Sequence, residues 1–233
     1  MQLFFDRHLA FDNATFLIEA NESNHILRVL RKNKGDIIFV TNGMGDVCKA
    51  EISNIISKRC EINILETFSE PPLPYDLHIA IAPTKSADRF EYFLEKSTEI
   101  GITEISPIIS ENSERKRLNN SRCQKIIQSA MKQSQRCHLP KLNELRDFKT
   151  FINSNFDGYN TCIAHCEDDQ KRLFQSERRK HDKILILIGP EGDFSPEEIK
   201  LALSQGFKAV SLGDKRLRTE TAGIVACAIT SYS

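Results

Sequence analysis

Apolar and polar positions follow two different rhythms along this chain, and the change falls at Glu70-Pro-Pro-Leu-Pro74. Before the prolines the period is two. Asp36-Ile-Ile-Phe-Val-Thr41 is an apolar, β-branched run, and Asn42-Gly-Met-Gly45 after it is a turn signal. Val47-Cys-Lys-Ala-Glu-Ile52 and Cys60-Glu-Ile-Asn-Ile-Leu65 alternate as half-buried strands do. With one short helix near Asn21–Leu30, residues 1–70 read as a small antiparallel β-barrel. Pro71, Pro72 and Pro74 block helix and central strand alike and favour an extended linker. Beyond them, strands alternate with helices. The strands are Leu77–Ala82, Ile105–Ile109, Asn160–Ala164, Lys183–Ile188 and Ala209–Leu212. The helices are Ser86–Ile100, Ser121–Gln135, Ser195–Gln205 and Thr219–Ser231. The first helix places Phe90, Phe93, Leu94 and Ser97 on one stripe, with Gly101 past its end. This alternation predicts an α/β domain over residues 74–233 with a mainly parallel sheet.

A length of 233 residues suits one large domain or two modest ones. Hydrophobic residues at 40% and charged residues at 27% fit an ordinary folded chain. The formal net charge is zero, which excludes a uniformly basic coat. The zero hides an uneven distribution. Residues 111–141 carry eight Lys or Arg against two acidic residues, whereas residues 61–104 carry three against nine. The basic stretch includes Arg115, Lys116, Arg117, Arg122, Lys125, Lys132 and Arg136. It reads either as a phosphate-binding surface or as a solvated helix face. Arg28 and Arg31, with Lys32 and Lys34, form a smaller basic group in the first domain. The longest apolar run, Ile184–Ile188, is far below the roughly 18 residues of a spanning helix. Met1–Asp6 lacks the basic start and long apolar stretch of a secretory signal, so a cytoplasmic protein with reduced cysteines is expected. Cys162 and Cys166, with His165 beside them, lack the second ligand pair that a zinc site needs, so no metal is expected.

Two segments carry candidate chemistry. In Ile184–Ile199 an apolar strand stops at Gly189-Pro-Glu-Gly192, and Ser195, Pro196 and Glu198 then form the start of a helix with a capping box. A glycine loop between a strand's C-terminal end and a helix lies at the edge where open α/β sheets bind ligands. The same pattern also makes a plain β-to-α turn. It matches neither a P-loop nor a dinucleotide fingerprint. In Val210–Val225 a strand ends at Leu212-Gly213. Lys215, Arg216 and Arg218 follow, and Thr219-Glu-Thr221 opens a helix of small residues. Ile188, Gly189, Leu212, Leu217 and Ala222 supply apolar walls if these loops converge, with Ala164 at the end of another strand beside them.

Together, Gly189-Pro-Glu-Gly192, Leu212-Gly213 and Leu217-Arg-Thr-Glu-Thr-Ala222 resemble the cofactor loops of the SPOUT methyltransferases. Within them the chain is most similar to the branch that methylates uridine N3 of small-subunit ribosomal RNA. His25–Arg31 with Lys34-Gly-Asp36, Lys96-x-x-Glu99-x-Gly101, Ile105-Ser-Pro107 and Gln133-Ser-x-Arg136 with Leu139-Pro140 carry that resemblance through most of the chain. It implies a PUA-like β-barrel, residues 1–70, and a methyltransferase domain with a deep trefoil knot, residues 74–233. It also implies bent S-adenosylmethionine in the knot loops, a homodimer, and a uridine in the decoding region of 16S ribosomal RNA as substrate, free or in the assembled subunit. The implied cofactor residues are Ala164, Ile188, Gly189, Pro190, Glu191, Gly192, Leu212, Gly213, Leu217, Arg218, Thr221 and Ala222. Methylating N3 requires loss of its proton. Arg218 suits stabilisation of the uridinate oxygens, and Glu220 or Glu191 suits the base. Arg7, Arg28, Arg31, Arg115, Lys116, Arg117 and Arg136 are the candidate RNA contacts. The chain departs from the family pattern at Leu3, where an arginine is usual, at Asp193, where a second glycine is usual, and at Lys132, where an acid is usual. A SPOUT enzyme acting on another RNA and a non-catalytic RNA-binding homologue remain as alternatives.

Overall fold

The computed structural model describes residues 2–11, 14–167, 170–178 and 182–232. The chain divides into two compact units. One comprises residues 1–72 with 128–139, and the other residues 73–127 with 140–233. The proline stretch thus ends the main span of the first unit, and a later segment, 128–139, folds with it.

The first unit is built on a five-stranded sheet in the order β1-β3-β4-β5-β2. The strands are β1 (Leu3–Phe5), β2 (Thr15–Leu17), β3 (Ile37–Thr41), β4 (Asp46–Ile56) and β5 (Arg59–Ser69). Alternation in β4 sends Cys48, Ala50 and Ile52 inward, onto a core with Phe4, Ile18, Ile26, Ile38, Val40, Cys60 and Ile62. The sheet is not wholly antiparallel, as the period-two reading expected. β1 pairs with β3 in parallel, Leu3 opposite Phe39. The two strands are separated by β2 and helix α1 (Ala20–Asn24), so the chain crosses over between them instead of turning back. After α1, His25–Val29 forms a π-helical turn, with the Leu30 N–H bonded to His25 O at 3.0 Å. Leu3 is buried against Val47 and Cys137, which accounts for an apolar residue at that position. Lys132 pairs with Glu22 of α1.

The second unit holds an eight-stranded sheet whose pairings are all parallel. Its order is β11-β13-β10-β12-β6-β7-β8, with β9 also paired to β7. The strands are β6 (Asp76–Ile81), β7 (Glu104–Ile109), β8 (Lys141–Leu142), β9 (Arg146–Asp147), β10 (Asn160–Ala164), β11 (Arg172–Leu173), β12 (Lys183–Ile188) and β13 (Lys208–Ser211). The helices are α2 (Ala87–Ile100), α3 (Asn120–Gln133, shared with the first unit), α4 (Phe148–Ile152), α5 (Phe174–Arg178), α6 (Pro196–Ser204) and α7 (Thr219–Ser231). The central strands β6 and β12 are buried on both faces and therefore read as unbroken apolar runs. α2 buries Phe90, Phe93, Leu94 and Ser97, the stripe expected from its spacing. Its partner is α7, where Gly223 lets the Phe93 ring lie directly on the helix backbone.

Candidate functional site

The loops that follow β10, β12 and β13 leave the same edge of the parallel sheet, at the strands' C-terminal ends. They enclose a cavity of about 500 Å³. Its apolar surfaces are Ala164 at the end of β10, Ile188 at the end of β12, Val210 of β13, Leu212, Leu217 and Ala222. His165 and Cys166 extend the first wall. Gly189, Pro190, Glu191 and Asp193 form the second, and Ser211 and Gly213–Thr219 close the third. Lys215, Arg216 and Arg218 are exposed at this mouth, with Asp214 among them. Arg218 stands at the N-cap position of α7, whose first N–H groups and dipole add positive potential there.

Hydrogen bonds fix the loops before any ligand arrives. Thr219 Oγ1 donates to Gly189 O at 3.0 Å, joining the start of α7 to the glycine loop. A Cβ at Gly189 would stand 3.1 Å from the Phe194 nitrogen, so the turn is closely packed there. Glu191 Oε1 accepts from the Lys85 N–H at 3.0 Å, and Glu191 O accepts from Arg216 Nη2 at 3.4 Å. Asn112 Nδ2 donates to Gly192 O at 3.2 Å and Asp193 O at 3.1 Å. The expected capping box forms: Ser195 Oγ accepts from the Glu198 N–H, and Glu198 Oε2 accepts from the Ser195 N–H at 3.0 Å. Glu198 Oε1 also accepts from the Glu111 N–H at 2.9 Å, so the cap ties α6 to the end of β7. Burial, with the Asp193 carboxylate beside it, pushes the Cys166 thiol above its ordinary pKa. The result is a narrow apolar cleft with main-chain groups along it and guanidinium groups at its mouth. Such a cleft can hold a flat heterocycle inside and a polar or anionic group at the opening.

A family model described as an RNA methyltransferase domain matches residues 71–231, and one described as an RNA methyltransferase PUA domain matches residues 18–65. The chain belongs to the RNA methyltransferase family. Among its relatives is the ribosomal RNA small subunit methyltransferase E of Synechocystis sp., 32% identical over 222 residues, spanning 92% of this chain and 72% of that protein. The crystal structure of a probable rRNA-methyltransferase from Porphyromonas gingivalis matches with a TM-score of 0.86 at 39% identity, covering 98% of this chain and 96% of the other. The ribosomal RNA small subunit methyltransferase E of Neisseria gonorrhoeae, crystallised bound to S-adenosyl methionine, matches with a TM-score of 0.87 at 28% identity over 98% of this chain and 95% of its own.

For this RNA methyltransferase, the sequence-predicted residues fall as follows. Ala164, Ile188, Gly189, Pro190, Glu191, Leu212, Gly213, Leu217, Arg218 and Ala222 line one cavity. Gly192 and Thr221 do not line it; Gly192 faces Asn112, whose Cβ would lie 3.1 Å from an added methyl. Glu220 also lies outside the lining. Arg218 and Ala222 are one helical turn apart and face the cavity, whereas Glu220 stands about half a turn away. Glu220 is buried, and its Oε1 lies 3.9 Å from Arg89 Nε of α2. Arg115 is held locally: its guanidinium donates to Thr84 O at 2.9 Å and Lys85 O at 2.7 Å. Lys116 and Arg117 beside it are exposed, as are Arg7, Arg28 and Arg31 of the first unit, while Arg136 is half-buried. Sequence reasoning marks Asp193 only as a departure from the family pattern and misses Lys85 and Asn112; all three act on the cavity through hydrogen bonds between residues far apart in the chain.

Proposed function

We propose that this protein transfers the methyl group of S-adenosylmethionine to N3 of a uridine in the decoding region of 16S small-subunit ribosomal RNA. The observation that carries the proposal is the convergence of three loops on one cavity at the carboxyl edge of the sheet. Its volume of about 500 Å³ lies within the roughly 300–1,000 Å³ usual for small-molecule sites. The residues fit the cofactor. Ile188, Val210, Leu212, Leu217 and Ala222 suit the flat faces of adenine, and the loop's main-chain groups suit its edge. S-adenosylmethionine, when bound, supplies a methyl group on a cationic sulfur, open to displacement by a nucleophile.

The chain's own residues must orient the acceptor and manage a proton. Uridine N3 carries a hydrogen that has to leave, and the charge then spreads over the two neighbouring carbonyl oxygens. Arg218 is exposed at the mouth and makes no side-chain hydrogen bond or ion pair among the described residues. Its planar fork of donors suits those oxygens. Glu191, also in the lining, is the better placed of the two carboxylates for the proton, because Glu220 is buried away from the cavity. The reading extends to the whole chain: a PUA-like barrel over residues 1–70 holds RNA, and residues 74–233 form the methyltransferase domain. The three loops then belong to a deep trefoil knot, the enzyme acts as a cytoplasmic homodimer, and its partner is the ribosomal RNA or the assembled small subunit. Arg218→Ala is expected to lower turnover by about 10²–10³, the cost of removing one donor to a developing oxyanion. Methyl transfer to unmethylated small subunits measures this, and full retained turnover overturns the role of Arg218.

A further inference from the structure

Asp193 occupies a left-handed backbone position, φ 64°, at the turn of the glycine loop. Such a position favours glycine, and an aspartate there needs a reason. Its two carboxylate oxygens point different ways. Oδ1 accepts from the N–H of the next residue, Phe194, at 2.8 Å. Oδ2 accepts from the Cys166 N–H at 2.6 Å, 27 residues away in the chain. Cys166 and Asp193 both line the cavity, on the loops that follow the neighbouring strands β10 and β12. Asn112 holds the Asp193 carbonyl from outside, so the residue is fixed at both ends.

We propose that Asp193 is a positioning residue that holds the shape of the cofactor cavity by tying the loop after β10 to the glycine loop after β12. The inference rests on reading the cavity as the S-adenosylmethionine site. The bridge needs two acceptor oxygens, one for each N–H. An amide side chain has only one acceptor and would turn its own donors toward an N–H, whereas glycine has no side chain to bridge with. Both replacements tolerate a left-handed backbone, so they separate the bridge from the backbone conformation.

The test uses the full-length protein with Asp193→Asn and Asp193→Gly. Calorimetry gives S-adenosylmethionine affinity, thermal unfolding gives stability, and hydrogen exchange reads the Cys166 amide. With the bridge, that amide is protected in the wild type and exchanges faster in both variants. Both then bind S-adenosylmethionine about tenfold or more weakly, because binding must order loops that the bridge otherwise holds in place. Their unfolding temperatures stay close to the wild type. Wild-type affinity in Asp193→Gly overturns the proposal, because the position then needs only a left-handed residue. Unchanged Cys166 exchange in both variants overturns it too. A wild-type protein that does not bind S-adenosylmethionine overturns the cofactor reading itself, and the positioning role with it.

Discussion

Single side chains decide how closely the parts of the catalytic unit approach. Gly223 of α7 is the clearest case. A methyl added there would sit inside van der Waals contact of the Phe93 ring and 3.2 Å from Ile81 Cδ1. All three lie in a buried region, so neither neighbour has room to yield. Gly223→Ala is expected to destabilise the fold by about 1–3 kcal/mol, the usual cost of overpacking, even though alanine is the better helix former. Urea unfolding measures it, and equal or raised stability contradicts the packing described. Glu177 of α5 is a second case. It is 1% exposed and accepts from Lys208 Nζ at 3.0 Å, Arg172 Nη1 at 3.3 Å and Asn160 Nδ2 at 3.4 Å. Burial opposes its charge, but these donors together outweigh burial and bring the carboxyl from 4.5 down to about 2. A depressed folded value means that the ion favours folding above pH 4.5, and that contribution is lost as pH falls toward 2. Glu177→Gln should therefore be less stable than the wild type at pH 7. The gap should narrow below pH 4.5 in denaturant titrations, and a gap independent of pH contradicts this.

At the scale of elements, the question is which loops move together. The Arg115 guanidinium binds Thr84 O and Lys85 O, and the Lys85 N–H binds Glu191 of the glycine loop. Arg115 thus braces the cavity wall, and reversing its charge would disturb the cavity as well as any RNA surface. Lys116 and Arg117 are exposed and carry the clean test. Lys116→Glu with Arg117→Glu should weaken RNA binding and flatten its salt dependence while leaving S-adenosylmethionine affinity unchanged. Equal losses of both affinities contradict that division. Most of these elements were legible in the sequence because their signals are local. β12 is an unbroken apolar run, α6 opens with a complete capping box, and α2 carries its stripe. The short strands β1 and β2 and the short helices α4 and α5 escaped because three to five residues carry too little periodicity to read. The parallel pairing of β1 with β3 escaped because register between distant strands leaves no local mark.

For the whole molecule, neutrality conceals a division of charge. The acidic stretch over 61–104 and the basic stretch over 111–141 cancel in the sum. Part of that basic charge is consumed internally. Arg122 forks onto Glu91 at 2.5 and 2.8 Å, Lys132 pairs with Glu22, and Arg115 binds main chain. What remains exposed is smaller than the sequence count suggests, because the count cannot see which cations already have partners. The cavity residues followed a different logic. The glycines and the Leu217–Ala222 segment are legible as motifs, and ten of the twelve expected cofactor residues meet in one cavity. The place of Glu220 in the motif makes it a catalytic candidate, yet helix geometry turns it away from the cavity. Among the described residues, no helix is long and apolar enough to cross a membrane. The most direct measurement is nucleoside mass spectrometry of small-subunit ribosomal RNA after incubation of unmethylated subunits with this protein and S-adenosylmethionine. One N3-methyluridine per 16S molecule, formed about 10²–10³ times more slowly with Arg218→Ala, is the expected result. A methyl group on another atom or another RNA, or no transfer at all, contradicts it.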